Sequence, residues 1–142
     1  MTTFNLERFL RITQEEYEIA FAEITNGKKK SHWMSYIFPQ IEGVDPSEMS
    51  VRYAIKDLSE AEEFLKDRKL LNRLIAVCNA IIMHEDKPIN EILGRPDDEK
   101  LKSSMTLFSL VPNASPVFQL VLDLFFKGEK DFTIIKKIQL NA

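Results

Sequence analysis

The stretch Ser115-Pro116-Val117-Phe118-Gln119-Leu120-Val121-Leu122-Asp123-Leu124-Phe125-Phe126-Lys127-Gly128 decides the fold class. Val117, Leu120, Val121, Leu124 and Phe125 recur at i, i+3, i+4, i+7 and i+8, the apolar stripe of one helix face. Ser115 offers an N-cap hydroxyl, Pro116 takes the first helical position, where no N–H is needed, and Gly128 supplies the stop. Leu124 stands mid-stripe, so its truncation to alanine is expected to cost about 2–5 kcal/mol.

The same pattern runs outward along the chain. Thr13 and Glu16 have capping-box spacing, and Tyr17, Ala20, Phe21 and Ile24 then form a stripe that closes at Gly27. Ser59 and Glu62 repeat the box before Ala61, Phe64 and Leu65, and Leu70, Leu74, Val77, Cys78, Ile81 and Ile82 trace a longer helix. Ser47 caps a helix through Val51, Tyr53 and Ala54; Pro88 opens another through Ile89, Ile92 and Leu93, which Gly94 ends. Asp97 is a cap for a helix reaching Val111, with Leu101, Met105 and Phe108 on one face, and Phe132, Ile135 and Ile138 align in a last one. Ser31 to Phe38 reads either as a helix pairing Trp33 with Ile37 or as an alternating strand, and its helical neighbours favour the helix. The expectation is one all-α domain over residues 1–142, an irregular bundle of eight or nine short helices.

Composition narrows the function classes. The chain has 142 residues, 44% hydrophobic and 29% charged, which is a globular balance rather than a disordered one. A net charge of −3 gives no global field for nucleic acid or an anionic membrane, so a nucleic-acid partner is disfavoured. The amino terminus, Met1-Thr2-Thr3-Phe4-Asn5-Leu6-Glu7-Arg8, lacks a charged leader followed by an apolar stretch. No apolar run approaches the roughly 20 residues that span a bilayer, and the expected compartment is the cytoplasm. Cys78 has no disulfide partner and lies in an apolar stripe, which suits a core residue better than a nucleophile. No P-loop, dinucleotide fingerprint, HExxH or GxSxG occurs, and no metal or cofactor is expected.

Two segments are unlike filler. Gly27 to Gln40 places three lysines, His32, Trp33, Tyr36 and Phe38 within fourteen residues. Cations beside flat rings suit a base or a phosphorylated ligand, although lysines also favour a helix C-terminus and the aromatics also suit a core. In the second, Gly94 to Phe108, Lys100, Ser103 and Ser104 share an arc of about 100° on a helix. They could line a pocket, or the serines could permit a close helix crossing with their hydroxyls bonded back to the helix. Asp97, Asp98 and Glu99 fit the N-terminal end of a helix dipole, and Glu60, Glu62 and Glu63 fit a solvated face.

These segments carry a family resemblance. Ser31-His32-Trp33-Met34, Phe38-Pro39-Gln40, Tyr53-Ala54-Ile55, and Lys100 with Ser103-Ser104-Met105-Thr106-Leu107-Phe108 resemble the bacterial Domain of Unknown Function family numbered eighteen-ten. Val117-Phe118, Leu122-Asp123, Phe125-Phe126 and Gly128 match too, so the similarity runs from about Phe4 to about Ile138. It implies a compact all-α domain and brings no reaction with it. Some members are labelled calpastatin-like, yet a long flexible inhibitor would be polar and disordered, and this chain is patterned. Two stretches depart from the family. Asp67-Arg68-Lys69-Leu70-Leu71 stands where relatives show His-Pro then Leu-Gly, and Ile41-Glu42-Gly43-Val44-Asp45-Pro46 replaces a Gly-Leu-Gly turn.

The functional expectation is a site for a small anionic or nucleotide-like ligand, with any enzymatic activity undetermined. His32, Trp33 and Gln40 form one wall with Tyr53 near, and Lys100, Ser103, Ser104 and Thr106 form the other. Lys100 would meet the charge, the hydroxyls would orient the ligand, Trp33 would stack, and His32 is the one candidate acid or base. The alternative is a protein-interaction module without catalysis, whose partner is another protein.

Overall fold

A computed structural model describes residues 5–140, so the expectations for Met1 to Phe4 lie outside the described residues. The early helices are α1 (Glu7–Leu10), α2 (Gln14–Thr25), α3 (Met34–Ile37), α4 (Glu48–Arg52) and α5 (Leu58–Lys66). They are followed by α6 (Arg68–Ile82), α7 (Ile89–Leu93), α8 (Asp97–Ser109), α9 (Val117–Phe125) and α10 (Phe132–Leu140). Among the described residues there are thus ten helices, one or two more than expected, and the class is all-α. Ser31 to Phe38 resolves to the short helix α3.

Helices α8 and α6 are the two hubs: α8 packs against α5, α7, α9 and α10, and α6 against α1, α2, α5 and α9. A run of rings ties these layers together: Phe9 meets Phe64 edge-on at 5.1 Å, Phe64 meets Phe108 at 5.3 Å, and Phe108 meets Phe118 at 5.7 Å. Apolar burial of such rings is the main favourable term of the fold. An isolated parallel bridge joins Ile41 to Ile55, with Ile55 N donating to Gln40 O at 2.8 Å. That bridge sets the chain path beside α8.

Several expected details are corrected. On α9 the core face is Val117, Phe118, Val121 and Leu122, while Leu120 is 42% exposed and Leu124 only half-buried. The helix is apolar nearly all round, so two neighbouring arcs compete, and packing against α6 and α8 selects the one with Phe118. On α10 the buried residue is Ile134, and Phe132 is 72% exposed. Helix α5 is capped by Asp57, which accepts from Glu60 N at 2.9 Å, rather than by Ser59. Glu60 itself is buried, not solvated: Arg8 Nη1 lies 3.1 Å from its carboxylate and Lys56 N donates to it at 2.6 Å. Asp67 caps α6 by accepting from Leu70 N at 3.0 Å, a local reason for an acid at this position.

Lys127 at φ 57° and Gly128 at φ 77° turn the chain out of α9 through the left-handed region, and the Gly128 N–H donates to Leu122 O at 2.9 Å. Asp131 then starts α10 in a position fixed by Thr106, whose Oγ1 accepts from Asp131 N at 2.8 Å.

Candidate functional site

A cleft of about 570 Å³ opens beside the first two turns of α8. Its walls are the Gln40 to Ser47 loop, residues Pro96, Glu99, Lys100 and Ser103, and the start of α10 with Asp131, Thr133 and Ile134. The loop path is fixed at one end by the Ile41–Ile55 bridge and at the other by α4, whose cap Ser47 accepts from Ser50 N at 3.4 Å.

Lys100 projects from the first turn of α8, where its Nζ lies 3.0 Å from Asp45 Oδ2 and 3.6 Å from Asp97 Oδ1. Asp97 Oδ2 is in turn 3.0 Å from Lys29 Nζ, and that ammonium lies 5.2 Å from the Trp33 ring centroid. The result is an alternating line, Lys29, Asp97, Lys100, Asp45, with no net charge. Burial alone would raise the Asp45 pKa, but Ser47 N–H, Ser50 Oγ–H and Lys100 all bind the charged form and hold it well below the usual carboxylate range. The loop therefore supplies the counter-charge for Lys100.

A second carboxylate orders the lysine-rich segment. Glu23 on α2 accepts from Lys30 N at 2.7 Å, Ser31 N at 2.8 Å, Ser31 Oγ at 2.6 Å and Trp33 Nε1 at 2.9 Å. Burial pushes its pKa up, and these four donors outweigh that and bring it to about 2.

The structure brings Gln40, Lys100 and Ser103 together at the cleft, and not the other expected residues. Trp33 is 1% exposed with its indole N–H on Glu23, so it has no free face for stacking a ligand. His32 is exposed and does not line the cleft. Tyr53 packs edge-on against Tyr36 at 5.4 Å and near Phe9 at 5.9 Å. Thr106 is a structural hydroxyl: it donates to Lys102 O at 2.8 Å while accepting from Asp131 N. Ser103 and Ser104 differ, since neither Oγ has a hydrogen-bond partner among the described residues. Ser104 is fully buried away from the cleft, whereas Ser103 lines it. Sequence reasoning missed Asp45 and Glu23. Asp45 had a weak signal in Asp45-Pro46-Ser47, a turn-and-cap pattern, and Glu23 had none.

Among the described residues no three His, Cys, Asp or Glu side chains are grouped to hold a metal, and no helix is long and apolar enough to cross a membrane. The cleft lining holds no histidine or cysteine, and offers instead a mixed set of hydrogen-bond donors and acceptors.

Fold and cleft together define a compact, all-helical protein with a cleft of mixed polar and apolar lining built against α8. The chain belongs to the family described as "Protein of unknown function (DUF1810)", whose profile matches residues 3–138. It is similar to the conserved hypothetical protein Rv1873 from Mycobacterium tuberculosis, whose crystal structure superposes with a TM-score of 0.92. The two are 34% identical over 97% of this chain and 99% of that one. No curated protein matches the chain.

Proposed function

We propose that this chain is a small-molecule-binding protein whose ligand sits in the cleft between the Gln40 to Ser47 loop, α8 and the start of α10. What carries the proposal is Ser103: its side chain is 3% exposed, lines the cleft, and leaves a hydroxyl without a partner. A buried hydroxyl left unpaired costs about 1–3 kcal/mol, and a ligand reached by rotation about the Ser103 Cα–Cβ bond would recover that loss. The cleft size falls in the usual range of small-ligand sites, roughly 300–1,000 Å³. Lys100 shares its charge between Asp45 and Asp97, so it contributes a hydrogen bond to a ligand rather than the full counter-charge of the sequence expectation. A cytoplasmic setting belongs to the same proposal, supported by the single unpaired cysteine.

A thermal-shift screen against a metabolite library tests the proposal, because a ligand at 100 times its Kd stabilises by about 2.7 kcal/mol. Hits should lose about a third to a half of that stabilisation in each of Ser103→Ala and Lys100→Met, the effect of a five- to tenfold weaker Kd. Hits that stabilise both variants as well as the wild type would place the ligand elsewhere and sink the assignment.

One observation supports a second reading, a protein-interaction module. Between α2 and α6 a groove of about 670 Å³ is lined by Phe21, Ala76, Ala80 and Met83, and Met83 is 79% exposed. Exposed apolar side chains around a groove mark contact surfaces. A Met83→Glu variant that keeps every partner recovered by cross-linking to the wild type would remove this reading.

A further inference from the structure

We infer that the cleft is shaped chemically for an uncharged, polyhydroxylated molecule of about sugar size, an inference that rests on the cleft being a binding site. Its basis is the balance of free donors and acceptors around the lining.

Consider first an anion. A phosphate or carboxylate needs converging donors and a spare positive charge. The lining contains one cation, Lys100, already paired with Asp45 and Asp97. Asp45, Glu99 and Asp131 also face the same space and would repel a second anion. A cation needs the reverse, converging carboxylates with free oxygens. Asp45 already accepts from Ser47 N, Ser50 Oγ and Lys100, and Asp131 Oδ1 accepts from Thr133 N at 3.0 Å. Glu99, which is exposed, and Asp131 through Oδ2 keep free carboxylate oxygens, but no three such groups are placed together to hold a metal among the described residues.

What stays free is amphoteric. The Gln40 amide donates and accepts, the Ser103 hydroxyl does both once rotated about Cα–Cβ toward the cleft, Glu99 and Asp131 Oδ2 accept, and Lys100 retains an N–H. Each group complements an alcohol, which donates one hydrogen bond and accepts others. Val44, Pro96 and Ile134 supply apolar patches between them, suited to the C–H faces of a polyol ring. The unpartnered, almost fully buried Ser103 hydroxyl is independent of the acidic side chains and points to a ligand rather than to a solvated charge cluster.

Nitrogen–proton NMR of the full chain provides the test, with D-glucose and myo-inositol as polyols, inorganic phosphate as anion and 1,4-diaminobutane as cation. The polyols should shift the amides of Gln40, Lys100 and Ser103 saturably. Ser103→Ala and Gln40→Ala should each weaken that binding about five- to tenfold, the loss of one hydrogen bond. Phosphate or the diamine saturating these amides while the polyols do not would overturn the inference yet leave a binding cleft. The same holds if only a library compound lacking hydroxyl groups reaches them. Polyol binding that both variants retain in full would overturn it too. If no probe and no library compound perturbs the cleft, the binding role itself fails.

Discussion

Lys100 Nζ and Asp45 Oδ2 lie 3.0 Å apart, so one lysine in the first turn of α8 tethers the loop that forms the opposite wall of the cleft. Both side chains are largely shielded, at 22% and 15% exposure. Removing one member of a shielded pair strands the other, and the loss reaches about 3–5 kcal/mol at full burial. Lys100→Met, which leaves both Asp45 and Asp97 without their shared cation, should destabilise by about 2–3 kcal/mol, short of that limit. Urea melts showing a change within about 0.5 kcal/mol, the surface-residue level, would mean that the loop does not depend on the pair.

Acid should weaken the fold through Glu23 first. Its folded pKa of about 2 lies below the ordinary value of 4.5, so the contribution is complete above that ordinary value. It is lost as pH falls from about 4.5 toward 2, because only the unfolded chain takes up the proton in that window. Asp45, also depressed, adds a loss of the same sign as pH falls below its ordinary 3.8. Melting curves at steps between neutral pH and pH 2.5 should show this slope, and Glu23→Gln should flatten it. An equal slope in the variant would remove Glu23 as its source.

The hydroxyls of α8 should separate sharply. Ser103→Ala and Ser104→Ala delete unpaired buried groups and should be neutral or stabilising by up to about 1 kcal/mol. Thr106→Val strands Asp131 N and should cost about 1–3 kcal/mol. Equal losses at all three positions, measured in urea, would contradict the hydrogen-bond pattern.

Leu122→Ala should cost about 2–5 kcal/mol, since Leu122 is fully buried. Leu124→Ala, half-buried and outside the core cluster, should cost about 1 kcal/mol. A larger loss at Leu124 than at Leu122 would show α9 turned about its axis.

Cys78 is fully buried, and burial raises its thiol pKa far above the ordinary value. Thiol reagents should label it only as the protein unfolds. Rapid labelling of the native protein would show that the core opens locally.

Local chemistry was legible in the chain itself. The Thr13 and Glu16 capping box forms with both bonds present, and the stripe Leu70, Leu74, Val77, Cys78 and Ile81 is buried along α6. Such features depend on residues within a turn or two of each other, where period and cap chemistry act directly. Residues of the cleft were visible in part, as Lys100, Ser103 and Gln40. Tertiary packing alone decided the rest. Which apolar arc of α9 turns inward depends on what α6 and α8 present to it. Whether Trp33 stacks on a ligand or closes a core depends on Glu23, ten positions away along the chain. Whether Lys100 holds a free charge depends on Asp45, brought to it by a loop that the helix periodicity does not describe. Pairings between distant segments are set by the balance of burial over the whole chain, and short-range pattern carries no record of that balance.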